Sequence, residues 1–245
     1  LTHPLTAARV ADASSRAALY PKTAVTNSLH FQILKQQAQY RYVVAEADAS
    51  DHFRQILEQP GLTETERSAS LYSLARIALL HGQPQQALNW LQQVNSPNSD
   101  DRAIIALRSQ ALAATGQTDE GIKDIQQALS YAPGSYVLND ALADLQILAG
   151  TYTDAVTTLR DLASSRPGNP EIWQKLAQAA GRAGQTVLGY QANAEYLFLT
   201  GDQARASRQL DLAIQEAGRK GDFQRQEALK ERLRQIAADN TPTSE

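Results

Sequence analysis

The chain contains no cysteine and no methionine in 245 residues. Without cysteine there is no disulfide to staple the fold and no thiolate to bind a metal, and nothing chooses between an oxidising and a reducing compartment. A chain that opens Leu1-Thr2-His3 with no initiator methionine reads as a processed product or an excised piece of a longer protein. Long apolar runs are missing too: none approaches the ~18 residues expected of a membrane span. Nor does one sign of charge dominate. With 23 basic and 26 acidic residues the net charge is −3, which offers neither a nucleic-acid-binding face nor a polybasic membrane surface.

Catalytic signatures are equally scarce. The four histidines, His3, His30, His52 and His81, are 27, 22 and 29 residues apart, with no His-x-x-x-His pair among them. A self-contained zinc site needs three or four ligands, so His52 and His81 read as turn-adjacent surface residues and His30 as a helix-face residue. No Gly-x-Ser-x-Gly, no Gly-x-x-x-x-Gly-Lys-Ser/Thr and no Gly-x-Gly-x-x-Gly is present, which removes the familiar loops for acyl transfer and phosphate binding. The carboxylate pairs Asp48/Asp51, Asp100/Asp101 and Asp140/Asp144 read as helix caps or solvated positions. The chain by itself is expected to be non-enzymatic and to carry no cofactor.

What is present is a period. Gly82, Gly116, Gly150 and Gly184 each stand 34 residues from the next, the interval of the tetratricopeptide repeat (TPR). Five residues past each glycine comes a small residue, Ala87, Gly121, Ala155 and Gly189; nine past come Leu91, Ile125, Leu159 and then Asn193, so the pattern loosens in the fourth repeat. Two antiparallel helices of a dozen or so residues with two tight turns need roughly 34 residues. The glycine marks a chain reversal that favours positive φ, the small residue lets the second helix approach the first, and the aliphatic residue fills the space between hairpins. With 42% hydrophobic residues the chain can bury a sizeable core. The expected fold is all-α: a TPR solenoid, a right-handed superhelix of antiparallel helix pairs.

Along the chain, 1–25 reads as a junction segment with a first helix over 4–19, opened by Pro4 and broken at Tyr20-Pro21-Lys22. Residues 26–238 read as the repeat array and 239–245 as a disordered tail. The array begins with a degenerate pair, a helix over 28–47 and a shorter one capped by Asp51 and ended by Pro60-Gly61, because residue 48 is Asp where the period places glycine. Regular repeats follow from 68. After Gly184 the next glycine in phase, Gly201, comes at half a period, so the helix over 188–200 is expected to lead the next hairpin. A last helix over 223–238, with Gln224, Arg225, Glu227, Lys230, Glu231 and Arg234 on its polar positions, reads as a solvent-facing cap.

In such a stack the first helices line a concave face on which an extended or helical peptide lies. Counting from the glycines, the fifth and ninth residues of each repeat point into it: Tyr72 and Arg76, Ala106 and Gln110, Asp140 and Asp144, Gln174 and Gln178. Tyr72 with Arg76 suits an aromatic or acidic group of a partner, and Asp140 with Asp144, one turn apart, a basic one. The lysine and asparagine with which chaperone-binding modules clamp a C-terminal carboxylate are absent from these positions. The alternative is that this row is only the solvated inner wall. Trp173 falls where a large core residue packs between helices, and Trp90 is expected half exposed on the convex side, where it is the better interface candidate.

Two stretches carry a resemblance. Leu1-Thr2-His3-Pro4-Leu5, followed by Arg9, Ala11-Asp12-Ala13 and Arg16-Ala17, resembles the segment that closes the catalytic domain in the BepA/YfgC family of periplasmic zinc metallopeptidases. Pro170-Glu171-Ile172-Trp173, Leu176-Ala177, Ala183-Gly184, Tyr190-Gln191-Ala192, Ala194-Glu195-Tyr196 and Leu199-Thr200-Gly201 resemble that family's C-terminal TPR region. The resemblance implies a periplasmic protein with a His-Glu-x-x-His domain upstream. Its TPR domain would dock on the outer-membrane β-barrel assembly machinery and on unfolded outer-membrane protein substrates. No His-Glu-x-x-His helix occurs in this chain, so zinc would belong to the full-length parent. His3 matches the family histidine that sits over the zinc and restrains the enzyme by ligating it; detached from the other ligands it should bind no metal. The alternative is a freestanding TPR adaptor of cell-envelope assembly, with Leu1 following a processing site.

Overall fold

The structure is a computed structural model that describes residues 6–20, 27–42, 49–95 and 98–238. Among these residues there are helices and turns and no strand. In chain order the helices are α1 (Ala7–Ala17), α2 (Leu29–Tyr42), α3 (Ala49–Leu57), α4 (Glu64–Leu80), α5 (Pro84–Leu91), α6 (Arg102–Ala114), α7 (Thr118–Tyr131), α8 (Tyr136–Leu148), α9 (Tyr152–Ser165), α10 (Pro170–Arg182), α11 (Thr186–Leu199), α12 (Gln203–Arg219) and α13 (Phe223–Ala238).

The 34-residue period is a repeated helix stop. At the end of α4, Gly82 N–H donates to Leu79 O at 3.0 Å and Gln83 N–H to Ala78 O at 2.8 Å, the two bonds of a Schellman motif. The same pair closes α6 through Gly116 and Gln117, α8 through Gly150 and Thr151, and α10 through Gly184 and Gln185. It also closes α11 through Gly201 and Asp202, and α12 through Gly221 and Asp222. The motif needs a left-handed residue, and all six glycines have φ between +68° and +88°. Helix starts are more varied. Thr63 opens α4 with a reciprocal capping box to Glu66, Asp101 caps α6 through Ala103 N–H at 2.8 Å, and Pro170 follows the Asn169 cap of α10.

Each hairpin packs as the small-residue spacing predicts. Ala87, Ala155 and Ala206 are fully buried where the second helix meets the first, and Leu91, Ile125, Leu159 and Leu210 fill the layer between helices. Each such aliphatic side chain contributes about 1.5–3 kcal/mol. At the fourth repeat the pattern shifts, because α11 is buried on two faces. Leu188 and Ala192 join the core of α9 and α10, while Val187, Ala194 and Leu197 join that of α12 and α13. It therefore trails one hairpin and leads the next, as the half-period spacing implies, and Asn193 sits only half-buried between the two cores.

The ends differ in places from the sequence reading. No residue of α1 is buried. Pro4 lies outside the described residues, as do 43–48, Asp48 included, and the tail at 239–245. Asp51 does not cap α3, which begins two residues earlier at Ala49; it lies in the first turn and pairs with Arg54 at 2.9 Å. His52 is not a simple surface residue: its ring packs edge-on against Phe53, and Nε2 is buried with no hydrogen-bond partner among the described residues. The helix α2 is tied to α4 by buried polar contacts, Gln36 donating to Ser70 at 2.9 Å and accepting from Ser73 at 2.8 Å. At the other end, α13 buries Leu229 and Ile236, while Arg232 makes a bidentate bridge to Glu195 of α11, both N–O distances 2.7 Å.

Candidate partner-binding groove

First helices α4, α6 and α8 pack on one another in series, whereas α5, α7 and α9 make no comparable contact among themselves. The layer whose members stand closer is the inner one, so the first helices form the concave side. Its surface residues recur with the period. Arg76, Gln110, Asp144 and Gln178 form one row and Tyr72, Ala106, Asp140 and Gln174 the other, each member 34 residues from the next.

The members differ in how they meet solvent. Arg76, Gln110, Gln174 and Gln178 are exposed. Tyr72 is half-buried against the core that α4 shares with α2, α5 and α6, and that burial pushes its phenol up, with the nearby charge of Arg76 opposing the shift. Ala106 is covered, at 7% exposure, which removes it from the accessible wall. The small methyl is overgrown by its neighbours, a fact that position counting alone does not convey.

Asp140 and Asp144 already share one cation supplied by the chain itself. Lys175, reaching back from α10, places Nζ 2.7 Å from Asp140 and 2.8 Å from Asp144. Burial lifts the Asp144 carboxyl above its ordinary value, against the pull of the ammonium. Burial would lower the Lys175 ammonium, but its hydrogen bonds to Asp140 and Asp144 outweigh that and hold it above its usual value. One cation shared by two anions leaves the cluster a net negative charge.

Other residues of this surface lie outside the sequence-based set. Val137 and Leu148 are 41% and 63% exposed, and a 3.6-residue turn puts them on the same face of α8 as Asp140 and Asp144. Leu80, at the end of α4, is 61% exposed. The signal is present in principle, since helical spacing from Asp140 and Asp144 reaches both Val137 and Leu148. Lys175 follows Gln174 directly and sits one residue beyond a full period from Asp140, so counting positions does not pair it with the two aspartates.

Both tryptophans pack partly against the core. Trp173 packs against the core of α9 to α11, and its indole N–H donates to Pro167 O at 2.8 Å, latching the loop between hairpins. Arg166 stacks 4.3 Å from the Tyr136 ring beside it. Trp90 is half-buried on α5, part of its ring packed against clusters that include Phe53, Leu74 and Leu91.

Two clefts lie elsewhere, at the open ends of two hairpins. One, of about 450 Å³, is lined by Arg102, Arg108, Asp124 and Tyr131; its equivalent one repeat later, of about 550 Å³, is lined by Tyr136, Asn139, Asp161 and Arg166. Opposite charges pair within the first, Arg108 to Asp124 at 3.1 Å, so it projects little net field. Among the described residues no group of three or more His, Asp or Glu gathers to hold a metal ion, and His3 lies outside them. The described residues thus do not fit a zinc site. No described helix is long and apolar enough to cross a membrane.

This fold, a stack of helix pairs with a polar inner face, is a TPR solenoid, the class whose work is protein–protein interaction and which typically carries no catalysis. Residues 112–179 match the tetratricopeptide repeat family model. Among solved structures the chain is similar to a tetratricopeptide repeat protein from Parabacteroides merdae, at 16% identity and TM-score 0.50 over 93% of this chain and 91% of that one. It is similar to MamA of strain AMB-1, at 18% identity and TM-score 0.50 over 73% of this chain and 94% of that one. A MamA fragment from Desulfovibrio magneticus RS-1 aligns at 15% identity and TM-score 0.49, covering 71% of this chain and 97% of that one. No curated protein matches the sequence.

Proposed function

We propose that this chain is the non-catalytic, partner-holding domain of a periplasmic metallopeptidase or chaperone acting in outer-membrane β-barrel protein assembly and quality control. The observation that supports partner holding is the periodic row Arg76, Gln110 and Asp144 on the mutually packed helices α4, α6 and α8, continued by Gln178 on α10, of which Arg76, Gln110 and Gln178 are exposed. Exposed polar side chains on a concave wall are available to a segment laid across them.

The finer assignment rests on the resemblance of 1–17 and 170–201 to the BepA/YfgC family. On that reading zinc is bound in a separate His-Glu-x-x-His domain of the parent, with His3 as an added ligand there. The partners are the β-barrel assembly machinery and unfolded outer-membrane proteins. The test is photo-crosslinking in the periplasm with benzoylphenylalanine at 76, 110, 144 and 178, and at Tyr131 as a control on the other surface. Adducts with assembly components or outer-membrane proteins from the four groove sites, and none from 131, are expected. Adducts confined to 131 would overturn the groove as the holding surface.

A further inference from the structure

Along the inner face from α4 to α8, the ninth position of each repeat changes from Arg76 through Gln110 to Asp144. Arg76 is exposed and, among the described residues, pairs with no carboxylate. Gln110 is neutral. Asp144 belongs with Asp140 to a cluster in which one ammonium faces two carboxylates, and Val137 and Leu148 flank it with exposed apolar surface on the same helix face. The groove thus has a cationic end at α4 and an anionic centre bordered by hydrocarbon at α8. Successive packed helices stand about 8–10 Å apart, so the two charged points are roughly 16–20 Å apart, or about six residues of extended chain.

We infer that the groove takes an extended segment of a partner protein carrying a basic residue flanked by apolar residues, seated at Asp140, Asp144, Val137 and Leu148, with an acidic residue about six positions away at Arg76. This rests on the groove reading above and adds the chemistry of the occupant. The partner's cation completes the neutralisation that Lys175 begins, and its apolar neighbours cover Val137 and Leu148. The exposed carboxamide of Gln110, between the two charged points, is placed to bond the segment's backbone whatever its sequence.

The probes are fluorescent synthetic peptides of equal length and identical leucine content, with one variable residue between the leucines and a second about six residues away. The charge pairs are Arg/Glu, Arg/Arg, Glu/Glu and Gln/Gln, and binding to the whole chain is read by anisotropy. The Arg/Glu peptide should bind ~10-fold more tightly than Glu/Glu. Asp140→Asn with Asp144→Asn should flatten the preference at the first variable residue. Arg76→Glu should invert it at the second, so that Arg/Arg outranks Arg/Glu. Val137→Ser with Leu148→Ser should weaken all four peptides alike. Unchanged helical circular dichroism confirms that each variant is folded. Equal affinity for the four peptides, with benzoylphenylalanine at 110 still crosslinking them, would overturn this inference and leave the groove reading standing. Absence of any crosslink at 110 and 178 with every peptide would overturn both.

Discussion

A Cβ placed on Gly121 would stand 2.7 Å from the carbonyl oxygen of Ser109, one helix away. That distance is shorter than a methyl group tolerates, so α6 and α7 approach as closely as they do only because position 121 is bare. Gly189 holds the equivalent place in the fourth repeat, yet a Cβ there would meet its nearest neighbour at 3.5 Å, an ordinary contact.

The two glycines therefore respond oppositely to the same change. Gly121→Ala pushes the helices apart and is expected to cost about 1–3 kcal/mol. Gly189→Ala gains helix propensity without a clash and is expected to be neutral or stabilising by up to about 1 kcal/mol. Urea midpoints of the two variants check this; equal shifts would show that the close approach at 121 carries no energy.

The helix-stop glycines are constrained by conformation, not by space. Around Gly116 and Gly150 nothing lies near an added Cβ, but φ is +85° and +77°. Gly116→Ala or Gly150→Ala should cost about 1–2 kcal/mol each through left-handed strain. Gly134→Ala and Gly168→Ala, also in open space but without positive φ, should cost far less. Thermal melts followed by circular dichroism would separate the pairs, and indistinguishable melting points would contradict the Schellman assignment.

The Lys175 cluster yields a pH prediction. Lys175→Met leaves two carboxylates facing each other and is expected to destabilise by about 1–2 kcal/mol, a modest value because all three groups remain part-exposed. Asp144→Asn keeps the Asp140 pair and should change stability by less than about 0.5 kcal/mol near pH 4. Burial raises the Asp144 carboxyl, so its ionisation opposes folding. That penalty is absent below the unfolded-state pKa and complete above the folded-state one. Relative to the natural chain, Asp144→Asn should thus become more favourable as pH rises from about 3 to 6. Urea titrations at several pH values would show this trend, and a flat difference would exclude it.

Much of the architecture is legible in the sequence because chain reversal is a local matter. Gly82, Gly116, Gly150 and Gly184 announce their conformation through residue type alone, and Ala87 and Ala155 announce close packing by their size. Where the sequence misleads, the cause is contact between elements. Ala106 belongs to the wall by position but is covered, Asp140 and Asp144 look like unpaired carboxylates but share Lys175, and Trp90 packs part of its ring against the core that holds Phe53 and Leu74. Asp51 is a good cap residue at a position the chain does not use as a cap, so spacing alone places the start of α3 too late.

What the sequence alone determined is where the helices stop and that they pair, since a glycine's tolerance of positive φ and a helix's 3.6-residue face act within a few residues. What only the tertiary structure decided is which charges remain available on the inner face. That depends on how far a side chain such as Lys175 reaches across the gap between neighbouring helices, and burial and pairing of charges are properties of three-dimensional neighbours that spacing along the chain does not encode.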